Sequence, residues 1–285
     1  MPLVRYADAR DWGRAMSEHA MERRMPPWPA AIGIGDFSND RSLTPIEIEL
    51  LASWAEGGAA EGTAAAATPT PARSAIRAPD VIKDLPAAVV KTPVTRYEVP
   101  VDNTKEQWIT GWEFHPVDHA RVERAVIGIA GGERVGSWLP PEATVMFPDG
   151  VARRLPPRST LTVDVYYRKS SALPAGGGRI ALNLGAEPKH VVRHRTLACG
   201  TTVLDEPLDV LALEPTANES GAMVEAVAYR PDRSVEPLIL VRRFLTWYVP
   251  TYRFRTAVRL PRGSRLEVRS SAATCGLGLD YVPVR

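Results

Sequence analysis

The pattern of hydrophobic and polar residues changes its period near residue 80. Beyond that point, apolar residues alternate with polar ones in short runs, and clusters of proline, glycine and aspartate separate the runs. A period of two residues is typical of strands with one buried face. The runs cover residues 94–101, 125–130, 161–167, 180–184, 208–213, 223–229, 238–241, 252–258 and 266–268. Many short strands separated by turns predict packed antiparallel sheets.

A glycine-rich stretch, Gly176–Gly178, divides this strand-rich part into two pieces of similar size. Each piece has the length of an ordinary β-sandwich domain. We therefore predict a mainly β protein with two tandem antiparallel, jelly-roll-like β-sandwiches. The first is predicted over residues 80–174 and the second over residues 175–285.

The first 58 residues follow a helical period instead. One amphipathic helix is predicted within residues 8–25, where a proline pair stops it. A second begins at Thr44, which is followed by a proline and then Glu47, the pattern of a capping box. Its predicted apolar stripe consists of Ile46, Leu50, Leu51 and Trp54. Residues 59–79 are small and proline-rich, which indicates a linker between this helical part and the sandwiches.

Composition and charge narrow the possible partners. The chain has 285 residues, 45% of them apolar, and 26 prolines, which suits several short strands and turns. Its net charge of +2 is far from that of a nucleic-acid binder. No apolar run approaches the roughly 20 residues of a membrane-spanning helix, and the first residues lack the pattern of a secretory leader. The two cysteines, Cys199 and Cys275, are predicted either to form one disulfide or to be two buried thiols.

Charge is distributed unevenly along the chain. The first 62 residues are acidic overall, whereas the remainder is basic. A run rich in arginine predicts a solvated strand face, and the alternative is a surface that contacts an acidic protein or lipid headgroups. The arginines proposed for such a contact are Arg242, Arg243, Arg253, Arg255 and Arg259.

Ten short segments share their pattern with one known family. Those in the helical part are Pro2–Tyr6, Trp12–Ala15, Arg24–Trp28, Phe37–Thr44 and Trp54–Ala59. They resemble the second half of a bacterial periplasmic c-type cytochrome module. Those in the strand-rich part are Ala181–Pro188, Tyr229–Asp232, Leu238–Leu240, Trp247–Tyr248 and Leu260–Ser264. They resemble the second domain of copper type II, ascorbate-dependent monooxygenases of the peptidylglycine hydroxylating class, to which such cytochrome modules are typically fused.

This resemblance implies a periplasmic location in a membrane-associated redox or electron-transfer assembly. A c-type haem requires the motif C-x-x-C-H, which this sequence does not contain. Met25 matches the position of the distal haem ligand, and without an attachment motif we interpret it as a vestigial ligand that packs at a helix end. The haem half is therefore either lost or encoded upstream, in which case the complete protein would be an electron carrier.

The resemblance also implies two copper sites, whose ligand positions carry other residues. Glu123 and Arg124 stand where the first copper takes a His-His pair, and Tyr166 and Arg168 where its third ligand lies. The position of the second His-x-His motif falls within residues 214–219. It offers Thr216 and Asn218 as substitutes. Copper prefers imidazole and thioether ligands, so these residues predict that no copper, and no other cofactor, is bound.

Five histidines remain as candidate ligands. His115 and His119 form one pair, and His190 and His194 form another, with the spacing that places two rings on one face of a helix. A proline inside the first pair and two valines inside the second argue against helices. We therefore predict surface or turn histidines. The alternative is a relocated copper site across the cleft between the sandwiches, which combines His115 or His119 with His190, His194 or Met146.

The sequence therefore favours a non-catalytic binding or structural subunit on a degenerate copper monooxygenase scaffold. Its partners are predicted to be proteins of a larger complex. The motifs of serine hydrolases and phosphate-binding loops are absent from the sequence. Two alternatives stay open: an active copper monooxygenase with relocated ligands, and a truncated electron carrier that has lost its haem-bearing half.

Overall fold

The chain is divided into two compact units. The computed structural model describes residues 5–63, 78–87, 89–90, 92–132, 134–142, 144–168 and 176–284. The smaller unit consists of Met1–Pro29 and Asn39–Ile76, and the larger of Ala30–Ser38 and Arg77–Arg285. Most of the predicted linker, residues 64–77, lies outside the described residues.

The described part of the smaller unit contains three helices: α1 (Tyr6–Arg10), α2 (Gly13–Met21) and α3 (Pro45–Glu56). The prediction of one continuous helix within residues 8–25 is wrong, because the chain leaves helical geometry between α1 and α2. Trp12 there has φ −107° and ψ 3°. Gly13 opens α2 at a close helix contact, where a Cβ would lie 3.2 Å from the ring of Trp54 on α3.

The capping box of α3 is confirmed. The Thr44 hydroxyl accepts the Glu47 N–H at 3.2 Å, and the Glu47 carboxylate accepts the Thr44 N–H at 2.8 Å. The Thr44 N–H and the Thr44 hydroxyl both donate to the Glu47 carboxylate, and these two hydrogen bonds lower the pKa of Glu47. The predicted apolar stripe is only partly correct, since Ile46 and Leu50 are 70% and 65% exposed.

The first β-sandwich lies in the larger unit and consists of two sheets. Its strands are β1 (Val81–Leu85), β2 (Val94–Pro100), β3 (Gln107–Pro116), β4 (Val122–Ile129), β5 (Arg134–Trp138), β6 (Thr144–Met146), β7 (Val151–Leu155), β8 (Thr160–Tyr167), β9 (Gly178–Gly185) and β10 (His190–Val191). One sheet has the order β2-β8-β4-β5. The other has the order β1-β9-β3-β7-β10, with β6 also paired to β3. All pairs are antiparallel except the short pair β7 with β10.

The alternation of each strand fills the core between these two sheets. Ile127 on β4 and Val163 on β8 contribute from one sheet, and Phe114 on β3 and Leu182 on β9 from the other. All four side chains are completely buried. Trp138 on β5 packs edge-on against Phe114, with ring centroids 5.3 Å apart.

The second β-sandwich consists of two sheets, each with four strands. Its strands are β11 (Arg193–Ala198), β12 (Gly200–Val203), β13 (Leu208–Ala217), β14 (Val224–Tyr229), β15 (Val235–Val241), β16 (Tyr252–Leu260), β17 (Arg265–Ser270) and β18 (Cys275–Pro283). The sheet orders are β11-β18-β13-β16 and β12-β17-β14-β15. The predicted mainly β class with antiparallel sheets is therefore confirmed.

The strand pairing moves the boundary between the sandwiches. The sequence prediction assigns residues from 175 onward to the second sandwich, but β9 pairs with β1 and β3 of the first, and β10 pairs with β7. The glycines that suggested a boundary instead allow a close approach inside one sheet. A Cβ on Gly178 would lie 2.6 Å from the carbonyl oxygen of His115.

Ala30–Ser38, predicted as part of the helical region, is a strap along the edges of the second sandwich. The Ala31 N–H donates to the Leu240 carbonyl at 2.7 Å, and the Ser38 N–H donates to the Arg253 carbonyl at 2.8 Å. These carbonyls belong to β15 and β16, the edge strands of the two sheets. The strap thus satisfies backbone groups that an open sheet edge leaves exposed.

Cys199 and Cys275 form a disulfide, with their Cα atoms 5.5 Å apart. The bridge joins the chain between β11 and β12 to the start of β18, so it staples the second sandwich across 76 positions of sequence. Both cysteines are half-buried. Of the two alternatives left open by the sequence, the disulfide is the one observed.

No helix within the described ranges has the length and apolar character needed to cross a membrane.

Candidate functional site at the junction of the two sandwiches

Three ion pairs connect the two sandwiches. The first joins Arg134 on β5 to Glu214 on β13, with one guanidinium nitrogen 2.5 and 2.6 Å from the two carboxylate oxygens. The hydroxyls of Ser137 and Thr251 donate to the same carboxylate at 2.9 and 3.1 Å. Glu214 is only 7% exposed, and these donors compensate the loss of its hydration.

The second ion pair involves a fully buried arginine. Arg153 on β7 is 0% exposed, and its guanidinium lies 3.1 Å from the carboxylate of Asp280 on β18. The His194 ring contacts the same carboxylate oxygen at 2.8 Å. Burial raises the pKa of Asp280, but the charge of Arg153 and the hydrogen bond from His194 outweigh it and lower that pKa overall. Asp280 is therefore a buried carboxylate that remains charged at neutral pH.

The third ion pair joins Glu142, which follows β5, to Arg253 on β16, with nitrogen and oxygen 2.5 Å apart. Both side chains are largely buried, at 14% and 20% exposure. Each of the three pairs takes one partner from each sandwich. Because a buried charge is costly without its partner, the three pairs together fix the register of the two sandwiches.

Glycine makes room for these side chains. A Cβ on Gly278 would lie 3.2 Å from the His194 ring and 3.4 Å from the Glu214 side chain. Neighbouring strands approach closely at this point because Gly278 pairs with both Glu214 and Thr196. The junction therefore depends on a residue without a side chain beside His194 and Glu214.

A cavity of about 320 Å³ opens beside the ion pairs. The first sandwich lines it with Trp112, Val135 and Phe147, and the second with Leu211, Phe254 and Val282. This volume falls within the range of small-molecule sites, which are mostly apolar with a few placed polar groups.

The charged side chains that line the cavity already have partners of opposite charge. Arg253 contacts Glu142, and Arg255 contacts Asp36 of the strap at 3.1 Å. Asp209 on β13 contacts Arg259 at 3.1 Å. Asp280, the last of the four, belongs to the buried pair with Arg153.

One tryptophan of the cavity wall carries a buried polar atom. Trp112 on β3 is 1% exposed, and its indole N–H has no acceptor among the described residues. A Cβ on Gly136, which also lines the cavity, would lie 2.5 Å from the Trp112 ring and 3.1 Å from Nε1. The absence of a side chain at Gly136 therefore makes room for the indole.

The positions that the resemblance assigns to the first copper lie elsewhere. Arg124 on β4 and Tyr166 on β8 are cross-strand partners, and the guanidinium lies 4.0 Å from the centre of the Tyr166 ring. Glu123 is half-buried, and Arg168 is exposed. None of these four lines the cavity. Copper prefers imidazole and thioether ligands. The Arg124 guanidinium stacked on the Tyr166 ring and the Glu123 carboxylate therefore do not fit a copper site.

The positions assigned to the second copper lie in two different environments along β13, one exposed and one buried. Thr216 and Asn218 are exposed at the end of β13, where the Asn218 side chain accepts the Thr274 N–H at 3.1 Å. Glu214, at the start of the same segment, is bound within the junction. Across the described ranges, no cluster of three or more histidines, cysteines or carboxylates has a metal-binding arrangement.

The four histidines of the two predicted pairs occupy different environments. His115 ends its strand with a 3.0 Å contact to Glu113, and the ring of His119 lies 6.0 Å from that of Trp138. His190 lines the cavity, whereas His194 belongs to the Asp280 cluster. Neither pair lies on a helix, as predicted, but the prediction of surface or turn histidines does not hold for His194, whose side chain is 15% exposed.

Two further predicted positions are surface features. Met25 follows α2 and is 53% exposed. Met146 is 47% exposed and lines the cavity together with His190. A role of Met25 as a vestigial haem ligand stays a prediction.

The five arginines of the predicted face differ in whether they form ion pairs. Arg253, Arg255 and Arg259 are engaged with Glu142, Asp36 and Asp209 respectively. Arg242 and Arg243, just beyond β15, are exposed. The surface offered to an acidic partner is therefore smaller than the sequence suggested.

Sequence reasoning missed the residues that form the junction. No local pattern singles out these residues, because their partners are distant in sequence. They are Arg134, Ser137, Glu142, Arg153 and Asp280. One signal was available for Arg153, which lies in a short strand whose neighbours Val151, Ala152 and Leu155 are all buried.

Comparisons with known proteins do not show a family for this chain. No family model matches the chain, and no curated protein sequence matches it. The major capsid protein P2 of bacteriophage PM2 aligns over 72% of this chain and 98% of its own, at 11% identity and a TM-score of 0.36. A chain of Sulfolobus Turreted Icosahedral Virus aligns over 72% of this chain and 92% of its own, at 10% identity and a TM-score of 0.18. The description of the fold rests on the strand pairing given above.

Proposed function

We propose that this chain is a non-catalytic binding or structural subunit, built on a degenerate copper monooxygenase scaffold. The observation that supports this proposal is the set of contacts made by Glu214. Its carboxylate receives donors from Arg134, Ser137 and Thr251, so it joins the sandwiches and has little capacity left for a metal. A fold can outlast its chemistry because the residues that form the two are different.

The junction suits a binding role because it is rigid. Three cross-sandwich ion pairs surround an apolar cavity, and each charge has its partner within the protein. A pre-formed cavity binds a ligand without the cost of ordering loops or moving domains. The same fixed register would serve a structural subunit, which presents surfaces to partners in constant positions.

We further propose a periplasmic location within a membrane-associated redox or electron-transfer assembly. The disulfide between Cys199 and Cys275 supports the compartment, since disulfides persist in oxidising environments such as the bacterial periplasm. Arg242 and Arg243 are exposed and are proposed to contact an acidic protein partner of that assembly.

Calorimetric titration of the purified protein with Cu(II), and with Cu(I) under reducing conditions, tests the proposal. We expect no stoichiometric tight binding. A double variant, His190→Ala with Met146→Leu, serves as the matched control, because it removes the soft ligands of the cavity and leaves the ion pairs intact. A tight site with one copper per chain that this double variant abolishes would contradict the proposal.

A second candidate function is a copper-dependent monooxygenase with relocated ligands. The observation that favours it is that His190 and Met146, an imidazole and a thioether, line the same cavity. Oxygen consumption driven by ascorbate in the presence of copper distinguishes this candidate. Consumption above that of the double variant His190→Ala with Met146→Leu would support the enzyme and contradict the non-catalytic subunit.

A further inference from the structure

We propose that two copies of this chain associate through the open edge of β12. The two β12 strands run antiparallel about a twofold axis at Thr202, so that Thr201 of each copy lies opposite Val203 of the other. This contact joins the β12-β17-β14-β15 sheets of the two copies into one continuous sheet. The inference goes beyond the proposed function, because it names the surface by which the subunit associates with a second copy of itself.

The pairing of β12 with β17 determines which backbone groups point to the open edge. The two strands are antiparallel, and their register has no shift. Just beyond β12, the Leu204 N–H donates to the Ser264 carbonyl at 2.8 Å. Residues that bond to the neighbouring strand alternate with residues that do not, so the backbone of Thr202 also faces β17. The N–H and C=O groups of Thr201 and Val203 therefore point away from β17, to the open edge.

These outward groups are complementary to those of a second copy. With the axis at Thr202, Thr201 of one copy and Val203 of the other exchange both of their backbone hydrogen bonds, and the symmetric pair does the same. A twofold axis uses the same patch on both subunits, which is the arrangement of most homodimers. Thr201 and Val203 are β-branched, and both occupy the outer face, opposite Glu267 and Arg265 of β17. Their side chains therefore suit a place inside a continuous sheet.

The side chains of β12 do not protect this edge. Charged residues, prolines and bulges commonly keep an edge strand from pairing with another chain. The residues of β12, Gly200–Val203, include no charged residue and no proline, and Val203 is 64% exposed. By contrast β11, the open edge of the other sheet, carries Arg193 and Arg195. Positive charges on that edge oppose contact with a second copy, so we assign the contact to β12.

The opposite edge of the same sheet is closed. The strap Ala30–Ser38 bonds to β15, where the Ala31 N–H donates to the Leu240 carbonyl at 2.7 Å. Pro237 of β15 has no N–H to donate to an added strand. A pair formed at β12 therefore has protected strands on both outer sides of its sheet. We expect the assembly to stop at a closed dimer and not to grow into a fibre.

Two measurements on the full chain test the pairing. Sedimentation velocity is recorded between about 1 µM and 1 mM, because a short strand forms a small interface of modest affinity. We expect a reversible shift from the mass of one chain to the mass of two. Amide hydrogen exchange is followed by NMR at both ends of this range. The N–H groups of Thr201 and Val203 should exchange more slowly at high concentration, whereas that of Thr202, already bonded to β17, should not change.

Variants at one position make the result specific to β12. Val203→Lys places a charge on each side of the axis and is expected to weaken association by about tenfold or more. Val203→Pro removes an outward N–H, which an edge strand tolerates, and is expected to have the same effect. Val235→Lys is the matched control, because Val235 is 54% exposed on β15, at the opposite edge of the same sheet. It is expected to associate as the unchanged protein does.

Three outcomes would overturn the inference: the mass of one chain at every concentration, a dimer that Val203→Lys leaves unchanged, or slower exchange at high concentration that spares Thr201 and Val203. The exchange measurement needs no variant, so the test stands even where Val203→Pro does not fold. None of these outcomes depends on copper. The copper titration therefore fails or succeeds separately, which distinguishes a wrong contact surface from a wrong assignment as a non-catalytic subunit.

Discussion

The carboxylate of Glu214 lies 2.5 and 2.6 Å from one guanidinium nitrogen of Arg134, although the two residues are 80 positions apart and belong to different sandwiches. The contact exists only when the two sandwiches are docked in one register. We propose that this contact gives the β13 segment a structural function in place of the metal-binding function that the resemblance implies. The stability of the junction can therefore be tested at this pair.

Glu214→Ala is expected to lower the free energy of unfolding by roughly 3 kcal/mol, because it leaves the partly buried Arg134 without its carboxylate. Urea unfolding monitored by tryptophan fluorescence gives the value. Asp164→Asn is the control. It breaks the Arg96–Asp164 pair, in which Arg96 is 61% exposed, and should lower the free energy of unfolding much less, because solvent screens an exposed ion pair. Equal effects of the two changes would contradict the prediction.

Asp280 predicts a loss of stability in acid. Its pKa in the folded protein is below the ordinary value of 3.8, so folding favours the charged carboxylate. The contribution is complete above the unfolded pKa and is lost as the pH falls through the lower folded pKa. Thermal unfolding below about pH 4 should therefore depend more steeply on pH in the unchanged protein than in Asp280→Asn. Parallel curves for the two proteins would be evidence against this contribution.

The disulfide predicts a dependence on reducing agent. Because the bridge closes 76 positions of sequence, the double variant Cys199→Ser with Cys275→Ser should lose roughly 2–4 kcal/mol of stability. The unchanged protein treated with reductant should unfold at the same denaturant concentration as the variant. Since the chain has only 2 cysteines, the variant itself should not respond to reductant, which provides the control.

The strap predicts a large effect from one aromatic residue. Phe37 is 4% exposed, and its ring centroid lies 5.2 Å from that of Tyr252 and 5.1 Å from that of Phe254. Phe37→Ala should cost roughly 3–5 kcal/mol through lost burial and a cavity. Ile32→Ala, on the same strap at 61% exposure, should change stability by less than about 0.5 kcal/mol. Chemical denaturation of both variants measures the difference.

The capping box predicts a local effect in the smaller unit. Thr44→Ala removes the side-chain acceptor of the Glu47 N–H and should cost about 1 kcal/mol of helix stability. Hydrogen exchange should become faster over α3 and remain unchanged in β13. Unchanged exchange over α3 would show that the cap contributes nothing to the stability of this helix.

The elements that the sequence predicted are those with a clear local period. The strands around Val163 and Ala226 alternate strictly, and the Thr44–Glu47 capping box is read from four neighbouring residues. The sequence prediction missed nine of the 18 described strands, among them β3 and β18, which lie in the interior of their sheets. In β18 most positions are buried on both faces and glycines interrupt the pattern, so a period of two residues is not visible.

The sequence by itself determined the mainly β class, the turns between strands and the cap of α3, because each depends on residues close together in the chain. Only the tertiary structure decided that β9 completes the first sandwich and that Ala30–Ser38 closes the edges of the second. It alone also paired Arg153 with Asp280 and placed Trp112 beside a cavity. The physical reason is that a buried charge or an N–H group is satisfied by whichever partner the docked sheets bring to it, and no local pattern specifies that partner.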